Sequence, residues 1–261
     1  MLAAMPGLRT ERHGPIYRVT LARPDRRNAF DAELIGELTE AFAAVADARA
    51  VVLSGEGASF CAGADVEWQR ASIDLAYDDN VEDAMRLYEM CEAIDTCPAP
   101  VIARVHGFAL GGGSGLVACS DIAVATPDAV FGFSEVRLGI IPAVISPFVL
   151  PRIGAHARRY FLTGERFDAE TARRIGLVSE VSAEPDVVID GLIGAILESG
   201  PEAIRAAKLL IRQRPSGIEA ARIAATRRTS DEGQEGLRAF LDRRKASFVA
   251  RERAGSTGPG E

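Results

Sequence analysis

The stretch Val101–Ile122 constrains this chain more than any other. Val101–Val105 is a short apolar run of the kind that forms a buried strand. Gly111, Gly112 and Gly113 follow, then an apolar segment of helical length that closes at Ser120-Asp121. Glycines at a strand-to-helix junction let the backbone come close to a ligand or another segment, with N–H groups pointing at it. A P-loop would end in Gly-Lys-Ser/Thr, and this stretch has no lysine. A dinucleotide fingerprint counted from Gly111 ends on Leu116 where glycine is required, and so does a nucleophile elbow centred on Ser114. Two readings remain. One is a turn that lets a helix pack tightly. The other is an oxyanion hole, in which glycine N–H groups stabilise a carbonyl oxygen as it gains charge. The second needs another N–H donor from elsewhere in the chain.

Bulk properties narrow the classes. With 261 residues, 48% hydrophobic and 26% charged, the chain suits one large domain, or one domain with an appendage. A net charge of −7, scattered along the sequence, argues against long-range attraction to nucleic acid or anionic lipid, although a local basic pocket for a phosphate remains open. Cys61, Cys91, Cys97 and Cys119 form no C-x-x-C pair, and with three histidines (His13, His106, His156) no metal-ligand cluster emerges. The thiols read as reduced and buried. Residues 1–10 lack the apolar core of a signal peptide, and no apolar run reaches the about 18 residues of a membrane span. A cytoplasmic location is expected.

Ile16–Ala22 alternates as a half-buried strand does, and Asp31 can cap a helix to about Ala46. Ala48–Leu53 reads as a strand opening into the loop 54–65, and 66–80 as an acidic, mobile segment. Val81–Ala93 is helical, Ile122–Ala125 and Ala129–Phe133 are strand-like, and Leu177–Val181 is a short strand. Pro201 starts a run of helices to Arg251, with a turn at Ser216-Gly217 and a disordered tail at Gly255–Glu261. The expected organisation is an α/β core over 1–200 and a helical region over 201–261. That region is too small to bury a core alone, so it packs on another subunit or on the core.

Five ordered segments resemble the enoyl-CoA hydratase/isomerase (crotonase) superfamily. They are Arg23-Pro24 with Asn28-Ala29-Phe30; Phe60–Asp65; Gly107–Gly113; Phe133–Pro142; and Leu162-Thr163-Gly164 with Gly176-Leu177-Val178. The resemblance spans Ile16–Arg251. It implies an α/β crotonase-like spiral of repeated ββα units, with a C-terminal helical trimerisation region and a trimer or dimer of trimers. It also implies an acyl-CoA thioester substrate, with no cofactor beyond the coenzyme A that is part of that substrate. By motif position Ala64 supplies the second N–H donor and Gly112 is its partner. The loop Ala62–Val66, including Asp65, would hold the adenine end of CoA together with Ala29. Arg26 or Arg27 could approach the phosphates, with solvated surface as the alternative, and Lys208 could assist from the C-terminal region.

The sequence departs from the two-carboxylate hydratases it resembles. They carry one Glu two residues after the third glycine, where this chain has Gly115, and another that corresponds to Glu135. A position that takes a basic residue in many members is Glu67 here. Glu135 lies among Phe131, Phe133, Val136 and Leu138, and an apolar site raises a carboxyl pKa toward neutrality, which suits a group that takes and returns a proton. Its alternative is a capping or surface glutamate. Ser114 has no base placed beside it and reads as structural. The expected activity is hydration of an α,β-unsaturated acyl-CoA with a single catalytic Glu. The local sequence resembles the subgroup that acts on branched substrates such as 3-methylglutaconyl-CoA, in leucine breakdown. Arg137 is then a candidate partner for a distal carboxylate, with a surface salt bridge as the alternative. Isomerisation, another enolate reaction and a non-catalytic acyl-CoA binder are the competing readings. Asp31–Ala46 has no Lys or Arg, so RNA binding through that helix is not expected.

Overall fold

A computed structural model describes residues 6–45 and 47–249. The strands are β1 (Leu8–His13), β2 (Ile16–Leu21), β3 (Ala50–Gly55), β4 (Val101–Val105), β5 (Phe108–Leu110), β6 (Ile122–Ala125), β7 (Val130–Gly132), β8 (Arg166–Asp168) and β9 (Glu180–Val181). The α-helices are α1 (Ala32–Ala43), α2 (Val66–Ala71), α3 (Tyr77–Asp95), α4 (Gly112–Cys119), α5 (Ser146–Ile153), α6 (Ala157–Thr163), α7 (Ala169–Arg174), α8 (Pro185–Glu198), α9 (Pro201–Gln213), α10 (Gly217–Thr229) and α11 (Asp231–Leu241).

Six strands form one sheet in the order β1-β2-β3-β4-β6-β9, parallel except for β1 on β2. β5, β7 and β8 form a second, three-stranded sheet. The central strands β3 and β4 are apolar at successive positions because both faces of the sheet are covered. Val51, Leu53, Val101 and Ala103 face a core completed by Leu34, Leu38 and Phe42 of α1, Met90 and Ile94 of α3, and Leu116 of α4. Ala50, Val52, Ile102 and Val124 face a second core completed by Ile189, Ile193 and Leu197 of α8. This is the α/β fold expected from the sequence.

Several boundaries differ from expectation. β1 was not foreseen, because its outer position leaves Arg9, Thr10, Glu11, Arg12 and His13 outside the core and only Leu8 buried. A charged edge strand carries no apolar alternation. The acidic segment 66–80 is ordered as α2, a 3₁₀ turn at Ser72–Asp74 and the first turn of α3. Asp65 caps α2 by accepting from Glu67 N at 2.9 Å, which is why that helix starts where it does. Asp31 caps α1 in the same way, accepting from Leu34 N at 3.1 Å while Arg23 grips both its oxygens. The expected helix end at Ala46 and the tail at Gly255–Glu261 lie outside the described residues.

The C-terminal helices are tied to the core by two cations. Lys208 of α9 is buried and donates to Asp121 Oδ2 at 2.7 Å and to Ala99 O at 3.3 Å. Asp121 Oδ2 also accepts from Val101 N, the first residue of β4. Arg49, just ahead of β3, donates to Ile196 O, Ser199 O and Phe248 O. The outer faces of α9, α10 and α11 leave Ile211, Ile218, Phe240 and Leu241 exposed.

Candidate functional site

The site forms where three segments meet. β5 runs into the glycine turn, and Gly111 turns with φ +52 and ψ −121, a conformation open essentially to glycine. Its N–H is bonded to Gly132 O at 2.8 Å, which ties the start of α4 to β7. Ser114 is buried, and its Oγ donates to Ala109 O at 2.7 Å. It braces β5 against α4.

The loop 60–65 is held from both sides by backbone bonds. On one side Cys61 N donates to Phe108 O and Leu110 N donates to Cys61 O, which extends β5. On the other, Phe30 N donates to Gly63 O and Asp65 N donates to Phe30 O, each at 2.9 Å. This parallel bridge of Phe30 with Ala64 uses the groups on either side of Ala64 and turns Ala64's own N–H the other way. Among the described residues Ala64 N and Gly112 N have no hydrogen-bond acceptor in the protein. Gly112 is the first residue of α4, so its N–H has no partner within the helix. Both line a cavity of about 460 Å³. The two segments are in contact, since a Cβ built on Gly63 would lie 3.9 Å from Gly112 N.

Glu135 lines the same cavity from a 3₁₀ turn at Glu135–Leu138. Its Oε1 sits 3.1 Å from the place a Cβ on Gly111 would take, so only a glycine leaves room for it. Its Oε2 is buried and accepts no hydrogen bond from the protein. Burial raises the pKa of this carboxyl above the ordinary Glu value. A buried acceptor without a protein partner is costly unless something else satisfies it, and the residue that carries it lines a ligand-sized cavity. Two free N–H donors beside a carboxyl of raised pKa can stabilise an enolate oxygen and move a proton on an adjacent carbon.

Residues 11–251 match the sequence profile of the family described as enoyl-CoA hydratase/isomerase. The chain belongs to the enoyl-CoA hydratase/isomerase family. A crotonyl-CoA hydratase of Syntrophomonas wolfei is 33% identical over 244 residues, covering 88% of this chain and 92% of that protein. A probable enoyl-CoA hydratase of Rhodobacter capsulatus is 37% identical over 248 residues, covering 89% and 94%. The crystal structure of an enoyl-CoA hydratase from Shewanella pealeana superposes with a TM-score of 0.89 at 35% identity, covering 93% of this chain and 96% of that one.

Within this family frame, Ala62, Ala64, Gly112 and Glu135 line one cavity. Asp65 and Val66 follow directly at the start of α2. Arg26 stands beside them, its Nη1 3.7 Å from Asp65 Oδ2. Arg27 is exposed in a left-handed conformation, and its carbonyl accepts from Ala62 N. Ala29 is buried next to Phe30. Lys208 is not brought to the cavity, because its ammonium is engaged beneath β4 by Asp121 and Ala99. Arg137 is not brought there either, since its side chain packs over Gly164, whose Cβ position lies 3.1 Å from Arg137 Cγ. The arginine that does line the cavity is Arg166 of β8, with its guanidinium 5.6 Å from the centroid of the Phe108 ring. Asp83 of α3 lines it as well.

Besides Arg166 and Asp83, two apolar residues that pack on the glycine turn were not assigned to the site from sequence. Phe30 is fully buried, and its ring lies against Gly112, where an added Cβ would come within 2.2 Å of Cζ. Its backbone holds Ala64 and its ring backs Gly112, so one residue sets the spacing of both donors. The second is Ile145, whose Cγ2 lies 2.5 Å from the Cβ position of Gly115. Neither carries a polar group that a chemical motif would mark.

Proposed function

We propose that this protein hydrates 2-enoyl-CoA thioesters. The observation that carries this reading is the pair of free N–H groups, Ala64 and Gly112, in one cavity that Glu135 also lines. In the proposed reaction the thioester oxygen accepts both N–H groups. Glu135 as carboxylate takes a proton from water, the water oxygen bonds to C3, and the C2–C3 π pair moves toward the thioester oxygen to give an enolate. The protonated Glu135 then returns a proton to C2, and the carboxylate is regenerated. Losing one oxyanion donor of this kind typically costs ~10²–10³ in rate.

The CoA moiety lies along Ala62–Val66 in this proposal, with the Arg26 guanidinium as the nearest phosphate partner. A branched acyl group bearing a distal carboxylate, as in 3-methylglutaconyl-CoA, would pair with Arg166. The exposed apolar residues of α9 to α11 support self-association of the helical region as a trimer or dimer of trimers. A second reading has its own observation: Gly115 puts no carboxylate opposite Glu135, and moving a double bond from C3–C4 to C2–C3 takes a single base. The test is loss of the enoyl-thioester absorbance with crotonyl-CoA and with 3-methylglutaconyl-CoA, using Glu135→Gln as control. Turnover that disappears in the variant supports hydration. Turnover of a 3-enoyl-CoA alone moves the assignment to isomerisation, and acyl-CoA binding without any turnover sinks both.

A further inference from the structure

Gly111 is the residue from which α4 starts, and Gly115 lies one turn further on, with its N–H donating to Gly111 O at 3.1 Å. The structure fills the two places differently. The carboxyl of Glu135 stands over Gly111, with Oε1 3.1 Å from the Cβ position there. The side chain of Ile145 stands over Gly115, with Cγ2 at 2.5 Å, Cβ at 3.1 Å and Cδ1 at 3.6 Å from that Cβ position. Both side chains line the cavity that Ala64 and Gly112 also line. A carboxyl oxygen and a branched hydrocarbon therefore pack against the two ends of the first turn of α4.

Ile145 is not free to retreat. It is 2% exposed and is the residue from which α5 starts, with its carbonyl accepting from Phe148 N at 3.1 Å and Val149 N at 3.0 Å. Its branch is at Cβ, so Cγ2 moves only with the backbone or by a rotamer change. The glycine at 115 is what lets this side chain sit so close to α4. Any side chain at 115 would overlap Ile145 Cγ2 and displace that side chain.

We infer that Ile145 is the residue that limits substitution at the β-carbon of the acyl group. The inference rests on the acyl-CoA reading of the site. An acyl group whose thioester oxygen is held by Ala64 N and Gly112 N, and whose C2 is within reach of Glu135, runs along this turn of α4. A substituent on C3 that points to the 115 side meets Ile145 and not a polar group. The ledge excludes water from that side and sets the width available for a β-branch. One methyl group of fit in an apolar pocket changes selectivity by about 10–200-fold.

The measurement is the ratio of kcat/KM for 3-methylcrotonyl-CoA over crotonyl-CoA in four proteins: wild type, Ile145→Val, Ile145→Ala and Gly115→Ala. Ile145→Ala is expected to raise the ratio at least about tenfold, with Ile145→Val between it and wild type. Gly115→Ala displaces Ile145 and is expected to lower the ratio. Should Ile145→Ala fail to fold, Ile145→Val and Gly115→Ala still predict shifts of opposite sign. Folded variants that lose activity equally on both substrates, leaving the ratio within twofold, would overturn the inference and make Ile145 a packing residue only. If wild type turns over neither thioester, the hydratase reading fails on its own. The ledge is then read from the ratio of Kd values for butyryl-CoA and 3-methylbutyryl-CoA, with the same expected signs and the same refuting result.

Discussion

Gly112→Ala should injure catalysis more than stability. A Cβ at this position would lie 2.2 Å from Phe30 Cζ and 3.0 and 3.3 Å from the two Cε atoms. Carbon–carbon contacts are comfortable at about 3.5–4.0 Å, so the overlap is ~1.3 Å or more. The Phe30 ring is fully buried and stands edge-on to Trp68 at 6.2 Å, so it has little room to yield. Overpacking of this kind costs about 1–3 kcal/mol, and the better helix propensity of alanine returns at most about 1 kcal/mol. The net loss of about 1–2 kcal/mol corresponds to about 2–8 °C in Tm for a chain of this size. The donor N–H must shift with its helix turn, and a displacement near 1 Å at a reacting group costs on the order of 10²-fold in kcat. Thermal unfolding and crotonyl-CoA turnover are measured on Gly112→Ala, Phe30→Leu and the double variant. Removing the far edge of the ring should return at least about tenfold of the lost kcat in the double variant, even though Phe30→Leu alone opens a cavity. A Gly112→Ala enzyme with native kcat and native Tm would refute the placement of this N–H at the oxyanion.

Other perturbations have equally definite outcomes. Glu135→Gln should lower kcat by about 10²–10⁴ while leaving CoA-thioester binding in place, as read by calorimetry. Because burial raises the Glu135 pKa, its stabilising proton is held below the ordinary Glu range and lost as pH rises through the raised value. Wild type should therefore lose stability relative to Glu135→Gln between acid and neutral pH, and its kcat/KM should show an acid limb above the ordinary Glu value of about 4.3, absent from the variant. Asp31 is lowered to about 2 by the hydrogen bond from Arg23. The contribution of that carboxylate is present above its unfolded value and lost as pH falls toward 2, so Asp31→Ala should cost about 0.5–2 kcal/mol at pH 7 and little at pH 2 in a denaturant titration. Lys208→Met should lower the free energy of unfolding by up to the ~3–5 kcal/mol of a broken buried pair, read in a denaturant titration, and leave the KM for crotonyl-CoA unchanged. A changed KM would return Lys208 to the CoA site.

Much of this fold was legible in the sequence because the central sheet is covered on both faces. β3 and β4 could be read as strands from their unbroken apolar runs, and α1 from its spacing and its Asp31 cap. The glycine turn marked the place of one free N–H, that of Gly112, and the resemblance of Phe60–Asp65 marked the other, that of Ala64. What escaped were features whose signal is relational. β1 is an edge strand whose charged residues hide its period. α2 and the first turn of α3 are acidic and short of apolar residues because their outer faces are solvated, and α2 takes its start from the Asp65 cap. Arg137 was a candidate partner for a distal carboxylate of the substrate, with a surface salt bridge as the alternative, yet its side chain packs over Gly164 and does not line the cavity. Arg166, distant in sequence, is delivered to the cavity by the pairing of β8 with β7. Ile145 could not have been found from Gly115 alone, since the meaning of an absent side chain depends on what fills its place.

The anchoring of β4 bears on how this protein is made. The strand that feeds the glycine turn begins at Val101, whose N–H is held by Asp121, and Asp121 is held in turn by a lysine 87 residues further along the chain. Arg49 reaches carbonyls 147 to 199 residues away. Contacts of such long sequence separation form late, because the loop between the partners must close first. On the ribosome, where residues emerge at about 5–20 per second, the catalytic turn is synthesised well before the lysine that completes its support. A nascent chain that stops short of α9 leaves Asp121 without its cation and Arg49 without the Phe248 carbonyl. Nonsense and frameshift products from the last fifth of the reading frame should therefore be cleared as unfolded protein, and not persist as weakly active enzyme.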